Sequence, residues 1–228
     1  MNAGVHSEKQ KRVHEKYGYW HIDQLSYVDF PKPVTKYEDW PECNCDASGG
    51  CRCGVCELKT QRIECWRKSH GGVDCGNQRL QRRQHAKVEV APAGLKGNGL
   101  FAKQRISKGQ FIIEYIGEVI SEANVQKRLT KKCFYALLLR KGVFIDSSVA
   151  GNESRFINHS CDPNAVADYV YVGNEKRVGI FALRTIEKGE EITFDYLYED
   201  WGETPARCYC GSANCTGFMD KKVHQICE

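Results

Sequence analysis

Seven of the thirteen cysteines of this 228-residue chain fall between residues 43 and 75, and three more between 208 and 215. No other feature restricts the fold as much. The front group is Cys43, Cys45, Cys51, Cys53, Cys56, Cys65 and Cys75, carried by "CNC", "CRCGVC" and "CWRKSHGGVDC". Two thiols one residue apart can grip a single ion, whereas a disulfide over that spacing is strained. The odd count suits disulfides poorly, and clustered thiols in a reducing compartment point to metal. Seven thiols are one short of two closed tetrahedral sites. Either one thiolate bridges two zinc ions, or a histidine completes the set. His70, five residues after Cys65, is the natural candidate, with a solvent-exposed loop histidine as the plainer alternative.

The tail "CYCGSANC" supplies Cys208, Cys210 and Cys215, an incomplete site. Its fourth ligand must come from elsewhere, from Cys133, Cys227 or Cys161. Cys161 stands in "SRFINHSCDPNA", beside His159. There it can equally be a nucleophile with that imidazole as its base, or plain core. If it joins the tail, the tail folds back over the middle of the chain and closes a pocket there.

Between the clusters, residues 88–199 hold only Cys133 and Cys161. This apolar middle contains a repeat: "GLFAKQRISKGQFI" (99–112) matches "GIFALRTIEKGEEI" (179–192) at an offset of 80 residues. Each copy reads as a strand, a Lys-Gly turn and a second strand. "FIIEYIGEVI", "GVFIDSS" and "ADYVYVG" add β-branched and aromatic runs. Only "SEANVQKRLTKK" (121–132) reads as a helix, with Ser121 as N-cap and Val125 and Leu129 on one face. Strands in hairpins rather than alternating with helices predict a mostly β, α+β fold and disfavour a doubly wound sheet. Residues 1–42, with Pro31, Pro33 and Pro41, read as irregular.

No run approaches 18 apolar residues, so no membrane span is expected. The polar start, "MNAGVHSEKQKRVHEKYGYW", lacks the apolar region of a secretory signal, so an intracellular chain is expected. A formal charge of +4 permits contact with nucleic-acid phosphates without demanding it.

The order "KGNGLFA", "SRFINHSC", "EEITFDY" and "CYCGSANC" resembles a SET-domain protein lysine methyltransferase with a post-SET zinc loop. The front cluster followed by "RLQRRQHAKVEV" resembles the AWS (associated-with-SET) module, although His70 stands where such modules usually have another cysteine. The likeness covers residues 43–219, and the combination resembles the branch that methylates lysine 36 of histone H3. The implied layout is an N-terminal segment (1–42), AWS module (43–87), SET domain (88–203), post-SET loop (204–220) and C-terminal tail (221–228). The implied fold consists of short sheets and hairpins, with "RFINHS" in a knot-like crossing beneath "FDY".

By the same resemblance, Lys96, Gly97, Asn98, Gly99, Leu100, Tyr135, Arg155, Phe156, Asn158, His159 and Tyr196 bind S-adenosylmethionine. Tyr196, Tyr135 and Phe194 are the catalytic set, and Asp195 braces the crossing. Cys161 becomes the fourth post-SET ligand, which removes it as a nucleophile. With His70, about three zinc ions are expected on tetrahedral counting. Such an enzyme must strip a proton from lysine and desolvate the amine, a task for aromatic walls such as Tyr135, Phe194, Tyr196 and Tyr198. The implied substrate is the histone H3 tail within a nucleosome, in the nucleus on the chromosome, with no membrane partner. Basic stretches 79–87 and 127–132 read as solvated faces or as contacts to nucleosomal DNA. Glu114, Glu118 and Asp146 are available to make a peptide groove acidic. The rival readings are another histone lysine (4 or 9), a non-histone target, and an inactive chromatin-binding SET module.

Overall fold

The computed structural model describes residues 6–43, 56–66, 75–129, 135–196 and 207–219. The chain divides into two compact units. One takes the residues up to His85 together with Ile113–Arg155 and Asp168–Gly179; the other takes Ala86–Ile112, Phe156–Ala167 and Ile180 onward. These units do not follow the linear modules, since residues 88–203 contribute to both.

The N-terminal segment is not irregular as expected. It opens with helix α1 (Glu8–Tyr17). Ser7 and Gln10 form a reciprocal capping box, and Gly18 closes the helix in the left-handed conformation at φ 74°. These signals, "SEKQ" and a following glycine, were present in the sequence but masked by the polar, weakly periodic interior. Strands β1 (Trp20–His21) and β2 (Ser26–Tyr27) follow.

A four-residue helix, α2 (Glu57–Thr60), precedes the first long strands. Those are β3 (Val88–Pro92), β4 (Asn98–Ala102), β5 (Phe111–Glu114) and β6 (Glu118–Ser121). Helix α3 (Glu122–Leu129) follows, then β7 (Ala136–Arg140), β8 (Val143–Asp146) and β9 (Ala150–Gly151). The last strands are β10 (Asn158–His159), β11 (Ala165–Val172), β12 (Glu175–Ala182) and β13 (Glu191–Phe194). They order as β2-β6-β8-β7, β1-β9, β11-β12-β5 and β10-β13-β4-β3. The mostly β architecture is as expected.

In the first unit the N-terminal strands lie parallel to distant partners, Trp20 opposite Ala150 and Ser26 opposite Glu118. Tyr19, Ile113, Ile116, Ile120 and Ile145 are fully buried there. Asp29 does the capping work expected of Ser121 alone. Its carboxylate accepts from the Ser121 amide (2.7 Å), the Ser121 hydroxyl (2.9 Å) and the Asn124 side chain (2.8 Å) at the start of α3. A carboxylate is favoured there by the exposed amides and the helix dipole.

In the second unit the two copies of the repeat grip one another. The Gly109 amide donates to Ala182 (2.8 Å), and the Gly189 amide donates to Ala102 (2.7 Å). Ile106 and Ile186 exchange two bonds of 2.9 Å. Ala182 donates to Gln110 and Ala102 to Glu190, each at 3.0 Å. Each of these bonds made by one copy is returned by the other at the offset of 80 residues. Both turn glycines have positive φ, 76° and 85°, which only glycine adopts without strain. Leu100, Ile106, Ile112, Ile157, Ile180, Ile186 and Ile192 fill this unit's core. Among the described residues, no helix is long and apolar enough to cross a membrane.

Candidate functional site

The segment "INHSC" is the hub of the second unit. β10 lies parallel to β13, with Asn158 opposite Thr193 and His159 opposite Phe194. The Ser160 amide continues the ladder to the Phe194 carbonyl (3.2 Å). Tyr196, two residues past β13, is held at both ends. Its amide donates to His159 Nδ1 (3.2 Å), and its phenol donates to the Ile157 carbonyl (2.7 Å). A phenol whose proton is committed in this way can only accept from any further donor. Phe194, itself buried, lies tilted against Tyr196 with ring centroids 5.0 Å apart.

The 96–99 turn sits beside this hub. Gly97 has φ 80° and open space where a Cβ would be, so the backbone of the turn can be approached closely. At Gly99 a Cβ would come 2.7 Å from Glu191 Oε1 and 2.9 Å from Ala93 Cβ, so this strand position is also restricted to glycine. Asn158 donates to the Asn98 carbonyl (3.1 Å) and to Glu191 (2.8 Å). Lys96 pairs with the same Glu191. Lys96, Asn98, Gly99 and Asn158 are thus brought together, and Leu100, next in β4, is fully buried. Their organiser, Glu191, was missed by the sequence reading. So was Asn164, which accepts from the Thr193 amide (2.9 Å) and donates to the Glu191 carbonyl (2.7 Å) to fix β13. Only its place in "DPNA", just after Cys161, could have drawn attention to it.

Arg155 and Tyr135 belong to the first unit. Arg155 is buried and donates its Nε–H to the Ser147 carbonyl (2.8 Å). Its guanidinium lies over the Tyr135 ring (3.8 Å) and the Tyr19 ring (4.5 Å), where the ring faces favour a cation. Burial and the Glu153 charge push the Tyr19 phenol well above its ordinary value. Phe156, in the second unit, is buried.

The tail cysteines find their partner in Cys161. The sulfurs of Cys161, Cys208, Cys210 and Cys215 all lie within 4.8 Å of one another, and none of the four is in a disulfide. Burial, followed by hydrogen bonds that the Cys161 thiol donates to Cys215, Cys210 and Cys208, pushes it far above its usual range. Burial raises Cys210 as well, but hydrogen bonds from Cys161, Ser212 and Cys208 outweigh it and hold Cys210 at about 5. Four crowded thiols of which one ionises readily and another resists are what a divalent cation would satisfy by drawing off the remaining protons. Asn214 donates to the Cys161 carbonyl (3.0 Å), and the Ser160 and Ser212 hydroxyls meet at 3.1 Å, closing the loop on β10.

At the front, Cys43, Cys56 and Cys65 converge with sulfur separations of 3.7 and 3.8 Å. Cys75 is buried in the same cluster, its sulfur accepting from the Asn77 amide at 3.4 Å. Asn77 also donates to the Cys65 sulfur (3.3 Å). The other expected ligands, Cys45, Cys51, Cys53 and His70, lie outside the described residues, as do Tyr198, Cys133 and Cys227.

The three carboxylates considered for an acidic groove are buried and paired. Arg128 donates to both Glu118 and Asp146 (2.7 Å each), and Arg177 lies 3.7 Å from Glu114. Arg128 therefore points inward rather than offering its charge to a phosphate. Arg82 in the other basic stretch donates to Gln78 (2.9 Å).

Comparison with known proteins agrees with this arrangement. A SET-domain family model matches residues 97–197. A Debaryomyces hansenii protein named histone-lysine N-methyltransferase, H3 lysine-36 specific, is 45% identical over 197 residues, which is 82% of this chain and 26% of that protein. The Saccharomyces cerevisiae protein of the same name is 39% identical over 217 residues, or 89% of this chain and 30% of its own length. The Candida albicans protein, also of that name, is 50% identical over 67% of this chain and 19% of its own length. The chain thus spans less than a third of each of these relatives. Among solved structures, a chain of a humanized mutant of Chaetomium thermophilum Polycomb Repressive Complex 2, bound to the inhibitor GSK343, aligns with a TM-score of 0.60 and 31% identity. That alignment covers 68% of this chain and 24% of the other. With "KGNGLFA", "SRFINHSC" and "EEITFDY" in family order, the chain contains a SET domain over residues 97–197.

Proposed function

We propose that the chain transfers methyl groups from S-adenosylmethionine to a lysine side chain of histone H3, at lysine 36, in nucleosomes. The observation that carries this reading is the parallel β10–β13 pair, which delivers Tyr196 with its phenol proton committed, within a chain similar to proteins named for lysine-36 specificity. The tail and front cysteines would hold about three zinc ions on tetrahedral counting, and a nuclear, chromosomal location follows from the substrate.

The residues present fit the cofactor. The open backbone at Gly97 and the side chains of Asn98 and Asn158 would hold its polar end, with Leu100 and Phe156 contributing the apolar packing behind them. When bound, S-adenosylmethionine supplies a methyl group on a positively charged sulfonium. The remaining work belongs to the chain. Tyr196 accepts an N–H of the incoming lysine, or a polarised methyl C–H, because its own proton is directed at Ile157. Phe194 provides aromatic surface that disfavours water and stabilises the desolvated amine. Held in line, the amine needs no nucleophile from the protein. Phenylalanine rather than tyrosine at position 194 leaves room for an already methylated amine to turn, so the product should reach at least dimethyl-lysine. Phe194→Tyr should stall earlier in the series, and mass spectra of both proteins at matched turnover measure the difference.

The whole reading is tested by mass spectrometry of recombinant nucleosomes after incubation with labelled S-adenosylmethionine. Label should appear on the H3 peptide carrying lysine 36 and vanish from Lys36→Arg nucleosomes. Label on lysine 4 or 9 would redirect the specificity, and no label would leave an inactive chromatin-binding module.

A further inference from the structure

We infer that the His159 side chain is a positioning residue that couples the tail metal site to Tyr196. The inference rests on the reading of the tail as a zinc site. His159 sits on β10, its side chain only 9% exposed. Its Nδ1 accepts the Tyr196 backbone N–H at 3.2 Å. A ring nitrogen that accepts carries a lone pair, so the proton of the neutral ring is on Nε2. Nε2 lies 3.5 Å from Cys161 Sγ and so donates to that sulfur. One imidazole therefore bridges a candidate ligand sulfur and the backbone of a candidate catalytic tyrosine. The rings of His159 and Tyr196 also meet edge to face at 5.5 Å. Asp195 Oδ1 stands 3.6 Å from Nδ1, beyond hydrogen-bond reach while Nδ1 takes the Tyr196 amide.

The consequence is mechanical. A free thiol swings about its Cα–Cβ bond, but a thiolate on a metal does not. With Cys161 fixed, the imidazole has one rotation that satisfies both nitrogens, and this sets the Tyr196 amide. Ile157, two residues before His159, anchors the other end of Tyr196 through the phenol. Loading the tail site thus orders Tyr196 through a single side chain, without requiring the loop itself to touch the reacting atoms. A histidine N–H to a metal-bound sulfur also orients the ligand and tunes its basicity, and losing such a partner typically lowers metal affinity by 10–100-fold.

Two variants separate the two bonds. His159→Asn keeps an acceptor near the Nδ1 position and loses the donor to sulfur. His159→Gln places an amide near the Nε2 position and loses the acceptor. The tail ion is defined as the zinc that is lost in Cys210→Ser, and its affinity is read by competition with a chromophoric chelator on the full chain. Circular dichroism checks that each variant is folded. His159→Asn should weaken the tail zinc by roughly 10–100-fold. His159→Gln should hold zinc within a few-fold of wild type but lower kcat at least about 10-fold with little change in the KM for S-adenosylmethionine. The coupling is overturned if His159→Asn binds the tail zinc as tightly as wild type, or if both variants lose zinc and turnover in equal measure. A wild-type chain with no tail zinc to lose would overturn the metal reading and the coupling together, whereas full tail occupancy with unaffected variants would overturn the coupling alone.

Discussion

The two cysteine clusters use the same chemistry in opposite ways. Among the described front cysteines, Cys56 and Cys65 are fully out of solvent, Cys75 nearly so and Cys43 partly buried, and Leu58 and Ile63 pack around them. Its polar partner is Asn77, a residue of the same region. The tail cluster is half-exposed at all four cysteines. Its partners reach away from the cluster, through His159 to Tyr196 and through Ser212 and Asn214 to β10. A sulfur cluster inside apolar packing substitutes for core. A sulfur cluster on the surface contributes little burial, and its value lies in what it positions.

The largest expected effects test this contrast directly. Cys210→Ser should abolish methyl transfer and weaken cofactor binding while the front metal stays bound and the melting temperature moves little. Cys56→Ser should do the reverse, lowering the melting temperature sharply or costing soluble protein, with the surviving folded fraction still active. Elemental analysis, calorimetry and turnover on the two variants decide it. Equal losses of stability and turnover in both would erase the distinction.

Next comes the residue at the end of the tail's chain of contacts. Tyr196→Phe keeps the ring against Phe194 and removes the phenol that donates to Ile157. A rate loss of roughly 10²-fold or more is the scale for a positioned catalytic group, with cofactor affinity nearly unchanged. A loss within threefold would mean that the backbone of Tyr196, and not its hydroxyl, is what the hub holds.

Charges in the first unit should register as stability rather than turnover. Burial, only partly offset by Arg177, raises the Glu114 carboxyl from 4.5 to about 7. Between those values the folded chain keeps a proton that the unfolded chain releases, so folded stability falls as pH rises from about 4.5 through 7. Glu114→Gln removes that dependence. The variant should gain on wild type across this window by an amount on the order of 3 kcal/mol, with kcat unchanged. Denaturant titrations at pH 5 and pH 8 measure the gain, and a gain at pH 5 larger than at pH 8 would reverse the assignment. The smallest effect is Asp29→Ala. It strips the side-chain acceptor from the start of α3 and should cost about 1 kcal/mol, again without altering turnover.

How much of this was legible in advance depended on distance along the chain. The cysteine clusters could be read because thiols one or two residues apart are near each other in any conformation. The repeat could be read because the same hairpin chemistry is written twice, and the two copies do exchange identical bonds. The capping box of α1 was equally local and was missed only because its helix lacks an apolar stripe. The family motifs identified the crossing, but not that Glu191 gathers Lys96 and Asn158, since a lone glutamate within "GEEI" carries no local signal.

By itself, then, the sequence determined the composition of the sites: sulfur at both ends, glycines at the 96–99 turn, and an aromatic pair in "TFDY". Residue spacing alone left the tail's fourth partner open and the family resemblance pointed to Cys161; tertiary structure brings Cys161 to a cysteine 47 positions away. It also turned Arg128 inward to two carboxylates and laid β1 beside β9. The reason is physical. Spacing fixes which neighbours a residue meets within a turn or two, but closing a long loop is set by how the whole chain buries its strands, and no short stretch of residues contains that balance.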